Sequence, residues 1–485
     1  MSALLEKTVL ELSALLKKKE ISSIELTKTF LDRITKTDSK LHAFLKVDEA
    51  KALSEAAQAD KTISKDSHPL AGIPVAIKDV ILTNGIRTSA GSKILENFIP
   101  TYDATVVSKL KKLGAVIIGK TNCDEFAMGS SNENSAYHSC SNPWDITRVP
   151  GGSSGGSAAS VAARQAPVSL GTDTGGSIRQ PAALCGIVGM KPTYGRISRF
   201  GVTAFASSLD QVGPMAKTVE DASILFDAIS GFDDKDSTSV RKESIGVSTD
   251  YLKKDIRGLK IGVPKEYVND KLPLEIRKNF DESLKKLESL GAKIENISLP
   301  HTDYAISCYY IVAPAEASSN LARYDGIRYT IRKGEDKGLN EIYTQSRTIG
   351  FGKEVQRRIL LGTFVLSAGY YDAYYKKALD VRAAIRKDFD DAFQKVDVIA
   401  TPTSPCEAFK IGEKSSNPME MYLADVFTVA TPLSGNPALS VPCGFLNNLP
   451  LGLQLIGKHF DEKTILNVAY KFEQETQFYK KAPAL

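Results

Sequence analysis

From Val149 to Pro181 the chain reads VPGGSSGGSAASVAARQAPVSLGTDTGGSIRQP: two glycine–serine clusters separated by an alanine-rich run and a short apolar stretch, Val168-Ser169-Leu170. Glycine admits positive φ and close approach of the backbone to a ligand, at an entropic cost on folding. Glycines at this density beside hydroxyls describe a backbone that aims N–H groups and serine oxygens at one place. A flexible linker has a similar composition but does not enclose a helix and a strand. A serine hydroxyl is a weak nucleophile until a neighbouring base takes its proton. The downstream histidines, His301 and His459, stand in ordinary contexts, which leaves lysine as the candidate base, as in the Ser–Lys variants of the triad. Lys78 ends the apolar run Leu70-Ala71-Gly72-Ile73-Pro74-Val75-Ala76-Ile77. To act as a base it must be neutral, well below its reference pKa of about 10.4, which requires burial or a positive dipole. The competing reading is a solvated strand end or an ion pair with Asp79. Ser177 follows Thr174-Gly175-Gly176, whose successive N–H groups suit an oxyanion. Ser153 is placed to relay a proton between Lys78 and Ser177, although residue types alone leave the order of the two serines open.

Two strings imitate other chemistries without the context these need. Gly114-Ala115-Val116-Ile117-Ile118-Gly119-Lys120-Thr121 fits the phosphate-loop pattern GxxxxGK[ST], but that loop needs a strand before it and a helix after it. Here a helical pattern precedes, and the middle residues read as a buried strand. Gly151-Gly152-Ser153-Ser154-Gly155 fits the nucleophile elbow of α/β-hydrolases, which requires an apolar strand directly upstream and a histidine partner downstream. Asp145-Ile146-Thr147-Arg148-Val149-Pro150 is poor strand material. His138 and Cys140 stand close together, but no second pair follows at zinc spacing, so no metal is expected.

The elements that must carry these residues follow from periodicity. Residues 4–16 set Leu5, Val9, Leu12 and Leu16 at helical spacing. Ser22 and Glu25 form a capping-box pattern that opens a helix through Ile24, Phe30 and Ile34. A third helix is expected over residues 48–60. Asp103 is expected to cap a helix through Val106, Val107, Leu110 and Leu113, stopped by Gly114, with Ala115-Val116-Ile117-Ile118 as the next strand. The pattern recurs: a strand at 259–263, a helix through Ile276, Phe280, Leu284 and Leu287 stopped by Gly291, then another strand. Alternating units of this kind predict a mixed, mainly parallel sheet covered by helices on both faces. Residues 233–257 and 408–418 are polar and turn-rich and read as surface excursions.

The formal net charge of +5 over 485 residues is small, and no Lys/Arg stripe with interleaved aromatics points to nucleic acid. Lys17-Lys18-Lys19 complements a helix C-terminus. The six cysteines are scattered, as in a reducing compartment. Glu6 and Glu11 interrupt the N-terminal apolar pattern, unlike a signal peptide, and no run is long enough to cross a bilayer. A cytoplasmic location is expected.

Gly151–Ser160, Gly171-Thr172-Asp173-Thr174-Gly175-Gly176-Ser177-Ile178-Arg179-Gln180-Pro181 and the upstream Gly72-Ile73-Pro74…Ile77-Lys78-Asp79 together resemble the amidase signature family. The resemblance implies Ser177 as the acyl-forming nucleophile, Ser153 as a bridging serine on a cis peptide, and Lys78 as the base. It also implies an oxyanion hole from the N–H groups of Thr174, Gly175, Gly176 and Ser177. Further stretches, among them Gly189–Arg196, Phe205–Gln211, Glu316–Leu321 and Arg357–Gly362, resemble the tRNA-dependent amidotransferase branch of that family over almost the whole chain. That branch implies glutamine as substrate, with Arg358 holding its α-carboxylate, Asp425 its α-ammonium, and Tyr309 in the same pocket. A guanidinium forks onto a carboxylate and a carboxylate accepts from an ammonium, so the types suit the roles; Arg357 is the neighbouring alternative to Arg358. It implies a heterotrimer with amidotransferase subunits B and C, in which B uses ATP and magnesium and makes most of the contact with Glu-tRNA(Gln), leaving no cofactor on this chain. Thr330 departs from the pattern where glycine is expected. The fold implied is an α/β/α sandwich. Residues 1–65 form a helical segment packed on the core, and 66–485 a catalytic domain whose signature core spans about 72–215. A stand-alone amidase of small amides, or a catalytically silent scaffold, are the competing functions.

Overall fold

The computed structural model describes residues 3–241, 249–270, 272–415 and 417–485. Eleven strands form one mixed sheet. They are β1 (Phe44–Val47), β2 (Pro74–Lys78), β3 (Val116–Thr121), β4 (Val168–Asp173), β5 (Val188–Lys191), β6 (Gln211–Ala216), β7 (Lys260–Pro264), β8 (Lys293–Ile297), β9 (Val398–Pro402), β10 (Ala438–Leu446) and β11 (Leu449–Gly457). The order is β1-β3-β2-β4-β6-β5-β10-β11-β9-β7-β8. Parallel pairing holds the two flanks, β3-β2-β4 and β9-β7-β8. Antiparallel strands join them through the middle and add β1 at one edge. The parallel flanks are the βα units legible in the periodicity. The central strands include the β10–β11 hairpin, turned by Asn447 and Asn448 at φ 50° and 64°, the twist-matched two-residue connection that asparagine tolerates.

Strands β2 and β4 position the chemistry. They are parallel neighbours with Ile77 opposite Leu170, so both end at the same edge of the sheet, where α/β proteins place ligands. Lys78 ends one strand and Asp173 the other, every residue of both is buried, and the Thr174–Ser177 loop follows β4 directly. The Gly155–Ala162 helix beneath them is built from small residues because the backbone crowds it: a Cβ on Gly156 would meet Ala43 O and Asn122 O at 2.5 Å.

The N-terminal segment departs from the expected single helix. Ala3–Glu6 is a short 3-10 turn, and the helix proper is Val9–Lys17, opened by a capping box between Thr8 and Glu11. The Thr8 side chain takes the N3 amide and competes with helix continuation there. The Ser22–Glu25 capping box opens Ser23–Leu41 as expected, and the third helix spans Glu49–Thr62. Asp103 does not cap the Thr105–Lys112 helix; its Oδ1 accepts the Asn84 N–H at 2.7 Å and pairs with Lys111. Residues 3–47 belong to the main body: β1 pairs with β3, and the Val9 N–H donates to Asp221 Oδ1 at 2.9 Å. Among the described residues, one large apolar cluster joins residues from Leu5 to Phe472, with three smaller clusters beside it.

The two stretches read as surface excursions are partly anchored. Tyr251, Leu252 and Ile256 reach the main core, and Ala408 and Phe409 are buried, Phe409 against Val149 and Ala424. Isolated apolar anchors in polar sequence carry no periodicity, so they escape pattern reading. Residues 242–248 and 416 of these stretches lie outside the described residues. Thr330, in place of the expected glycine, accepts the Gly326 N–H through Oγ1 at 2.9 Å.

Candidate active site

Lys78 is fully buried, and its Nζ lies 2.7 Å from Ser153 Oγ and 2.8 Å from both Ser154 Oγ and Thr172 Oγ1. The ion pair with Asp79 does not form. Asp79 turns to the Ser89 amide and hydroxyl, and its other oxygen faces Lys120 Nζ at 3.5 Å. Lys120 in turn donates to Ile81 O and Thr88 Oγ1, which accounts for the phosphate-loop look-alike: its lysine is buried strand structure within β3. Desolvation lowers the Lys78 pKa from 10.5 to about 8, although the more distant Cys123, Asp124, Asp173 and Asp210 pull the other way. With hydroxyls in place of a carboxylate around it, the amine gives up its proton more readily than an exposed lysine does.

The geometry also separates the serines. Ser153 follows a cis peptide bond from Gly152 and is fully buried on Lys78, whereas Ser177 retains 7% exposure. The two loops are tied by the Ser154 N–H donating to Ser177 O at 3.1 Å. Gly152 admits no side chain, because a Cβ would strike Asp124 Oδ2 and sit 2.7 Å from Ser131 N. Its N–H donates to Gln180 Oε1, so the segment after Ser177 holds the segment that carries Ser153.

Asp173 organises the Thr174–Ser177 loop. Its carboxylate accepts the N–H groups of Gly176 at 2.9 Å and Ile178 at 3.2 Å, and it is gripped by Arg179 through Nε at 3.0 Å and Nη2 at 2.9 Å. Burial pushes the Asp173 pKa up, but Arg179 outweighs it and the carboxyl ends below its usual value. Thr174 Oγ1 donates to Asp210 and Gly175 O accepts from Thr428 Oγ1, both at 2.7 Å. The Gly176 N–H is therefore committed to Asp173, while the other three expected donors, the N–H groups of Thr174, Gly175 and Ser177, find no acceptor among the described residues. Gly176 has φ 137° and packs so tightly on Thr428 that a Cβ would collide with its hydroxyl.

A second group of side chains forms the adjoining wall. Tyr309 lies over Gly175, with its OH 2.8 Å from where a Cβ would be. It packs edge-on against Tyr310, which stacks on Tyr422 at 3.7 Å between centroids. The Arg358 guanidinium lies over Tyr310, Tyr422 and Phe205 at 5.2, 5.7 and 5.5 Å. Its Nε donates to Glu354 Oε1 at 2.8 Å. Arg358 is 3% exposed on its side chain and Arg357 50%, so Arg358 is the arginine that faces inward. Both ride on the Lys353–Leu366 helix, which touches Pro314 of the Ala305–Asn320 helix where Gly362 leaves no room for a Cβ. Asp425 is buried, accepts from Ser130 Oγ, and has its pKa raised by burial to about 7. Ser130 O accepts Gln180 Nε2 at 2.8 Å, so the second wall is bonded to the serine loops. A cleft of about 190 Å³ opens here, lined by Gly129, Ser131, Glu354, Arg357, Arg358 and Tyr422 among others.

All three triad residues and all three pocket residues are thus brought to one region. Sequence reasoning missed Ser154 and Thr172 on the lysine, Asp173 with Arg179 under the loop, Ser130 on Asp425, and Glu354. It also missed Glu125, which takes the Gly352 N–H at 2.8 Å and the Ser92 hydroxyl, and so anchors the start of the Arg358 helix. Glu354 at four residues before Arg358 is a visible helical pairing; the others are tertiary. Among the described residues no cluster of His, Cys, Asp and Glu suits a metal ion, and no helix is long and apolar enough to cross a membrane.

The amidase family model matches residues 25–466. The chain is 58% identical over 477 residues to the glutamyl-tRNA(Gln) amidotransferase A subunit of Carboxydothermus hydrogenoformans, covering 98% of each chain. It is 55% identical to the protein of the same name from Coxiella burnetii, covering 99% of each. The crystal structure of the glutamyl-tRNA(Gln) amidotransferase A subunit from Thermotoga maritima superposes with a TM-score of 0.82 at 45% identity, covering 98% of this chain and 96% of that one. A peptide amidase bound to the inhibitor chymostatin superposes at 0.83 with 30% identity, covering 99% of each chain.

Proposed function

The chain belongs to the amidase signature family, and from that premise we propose that it is the glutamine-hydrolysing component of a glutamyl-tRNA(Gln) amidotransferase. Ser177 Oγ attacks the side-chain amide carbon of glutamine while its proton passes through Ser153 to neutral Lys78. The oxyanion is met by the N–H groups of Thr174, Gly175 and Ser177. Collapse of the tetrahedral intermediate breaks the C–N bond, the nitrogen takes the proton back, and ammonia leaves a γ-glutamyl ester on Ser177. Water, activated by the same relay, then hydrolyses the ester to glutamate. Arg358 receives the α-carboxylate and Asp425 the α-ammonium, with Tyr309 against the acyl chain.

The observation that carries this reading is the contact of Lys78 Nζ, buried and with its pKa lowered to about 8, with Ser153 Oγ at 2.7 Å. Near-full-length identity to the amidotransferase proteins supports glutamine as the amide donor. The chain acts with other subunits. In the reading proposed here these are B and C of a cytoplasmic heterotrimer: B activates the γ-carboxylate of Glu-tRNA(Gln) with ATP and magnesium, this chain holds no cofactor, and the product is Gln-tRNA(Gln). The likeness to peptide amidase keeps a stand-alone amidase as the second reading. Ser177→Ala in the reconstituted complex separates them. Amidation of Glu-tRNA(Gln) is expected to stop with glutamine as donor and to persist with ammonium chloride. Glutamine-supported amidation by the variant, or rapid turnover of simple amides by the isolated wild-type chain, would contradict the proposal.

A further inference from the structure

We propose that Glu354 is a positioning residue for amino-acid recognition. It holds the Arg358 guanidinium by its Nε edge, so that the paired terminal amino groups are the edge presented to the substrate. This rests on the reading that Arg358 receives the α-carboxylate.

A guanidinium can fork onto a carboxylate through its two terminal amino groups or through Nε and one of them. In this structure Nε–H is taken by Glu354 Oε1 at 2.8 Å, while neither terminal amino group of Arg358 has a protein acceptor among the described residues. The lateral mode is blocked and the end-on mode left open. Glu354 is itself constrained. Its Oε1 also accepts the Tyr422 hydroxyl at 3.1 Å, its Oε2 pairs with Arg357, and its side chain is 10% exposed. Tyr422 stacks on Tyr310, and the guanidinium lies over both rings, so the plane of Arg358 is set by the aromatics and its rotation within that plane by Glu354. Arg357 offsets the Glu354 charge, which leaves the positive charge of Arg358 uncompensated towards an anionic ligand. Arg357 therefore acts here through Glu354, from the exposed side of the cleft.

The test compares glutamine with 4-aminobutanamide, which keeps the amine and the amide and lacks the carboxylate, in the assembled amidotransferase. Glu354→Gln keeps the shape and removes the charge. The expected result is a glutamine KM raised about tenfold with kcat within about twofold, and unchanged kcat/KM for 4-aminobutanamide. Tyr422→Phe removes only the hydroxyl that steadies Glu354; a smaller KM rise of the same selectivity is expected, and it serves if Glu354→Gln does not fold. An unchanged glutamine KM, or equal losses for both substrates, overturns the proposal. Arg358→Ala is the control: if it leaves the glutamine KM unchanged, the reading of Arg358 itself fails, whereas a raised KM there with none in Glu354→Gln refutes the role of Glu354 alone.

Discussion

At the scale of single residues, the proposed catalysis turns on a lysine that is short of charge partners. Lys78 is visible in the sequence as a lysine ending an apolar strand, but its two readings separate only once the direction of Asp79 is known. Asp79 points to Ser89 and Lys120, and Lys78 is left among hydroxyls with its pKa lowered to about 8. The free enzyme needs the neutral amine, so kcat/KM for glutamine should rise with pH through an ionisation near 8 and level off above it. Asp425, raised to about 7, must be ionised to hold an ammonium and adds a second rise in the same direction. Asp425→Asn should remove the lower ionisation and keep the upper one. A pH profile already flat from about pH 6 upward would exclude Lys78 as the base. The companions of Lys78 are less legible: Thr172 reaches it only because β2 and β4 run parallel in one register.

At the scale of elements, the Thr174–Ser177 loop is held from below by a buried ion pair. Asp173 and Arg179 are both fully buried and bonded twice to each other, and Arg179 Nη1 continues to Gln454 Oε1 at 2.6 Å. Removing one partner of a buried pair strands the other charge, typically a loss of about 3–5 kcal/mol. Arg179→Ala should lower the denaturation midpoint markedly. It should also depress glutamine hydrolysis beyond what the lost stability explains, because Asp173 orients the Gly176 and Ile178 amides beside the oxyanion donors. A variant with wild-type stability and activity would show that the pair is dispensable. The motif around Ser177 contains both residues, yet nothing in the spacing says that they grip each other. Asp103 shows the converse, a plausible helix cap that is occupied by Asn84 and Lys111 instead: local patterns name possible partners, and tertiary packing selects among them.

At the scale of the molecule, the flanking βα units follow from hydrophobic period and the candidate lysine, serines and glycine-rich loops from residue type, while the roles of the two serines come only from resemblance. The central antiparallel strands do not follow from period, because β5, β6, β10 and β11 are buried along almost their whole length and such runs carry no alternation from which direction could be read. The wall proposed to bind glutamine is legible only through resemblance. Arg358, Tyr309 and Asp425 come from three separate segments, and each alone is an ordinary residue. They converge because two helices close on each other at Gly362 and Pro314, and because the Ser130–Asp425 and Gln180–Ser130 bonds tie that wall to the serine loops. The result is one rigid corner in which the groups suited to bind an amino acid adjoin the groups suited to break an amide.

The assignment of Ser177 as nucleophile is tested most directly by trapping the acyl-enzyme: the assembled enzyme is mixed with glutamine, quenched in acid during turnover, and its covalent product mapped by peptide mass spectrometry. A γ-glutamyl ester is expected on the peptide containing Ser177, absent in Ser177→Ala. An ester on Ser153, or sustained glutamine hydrolysis by Ser177→Ala, would contradict it.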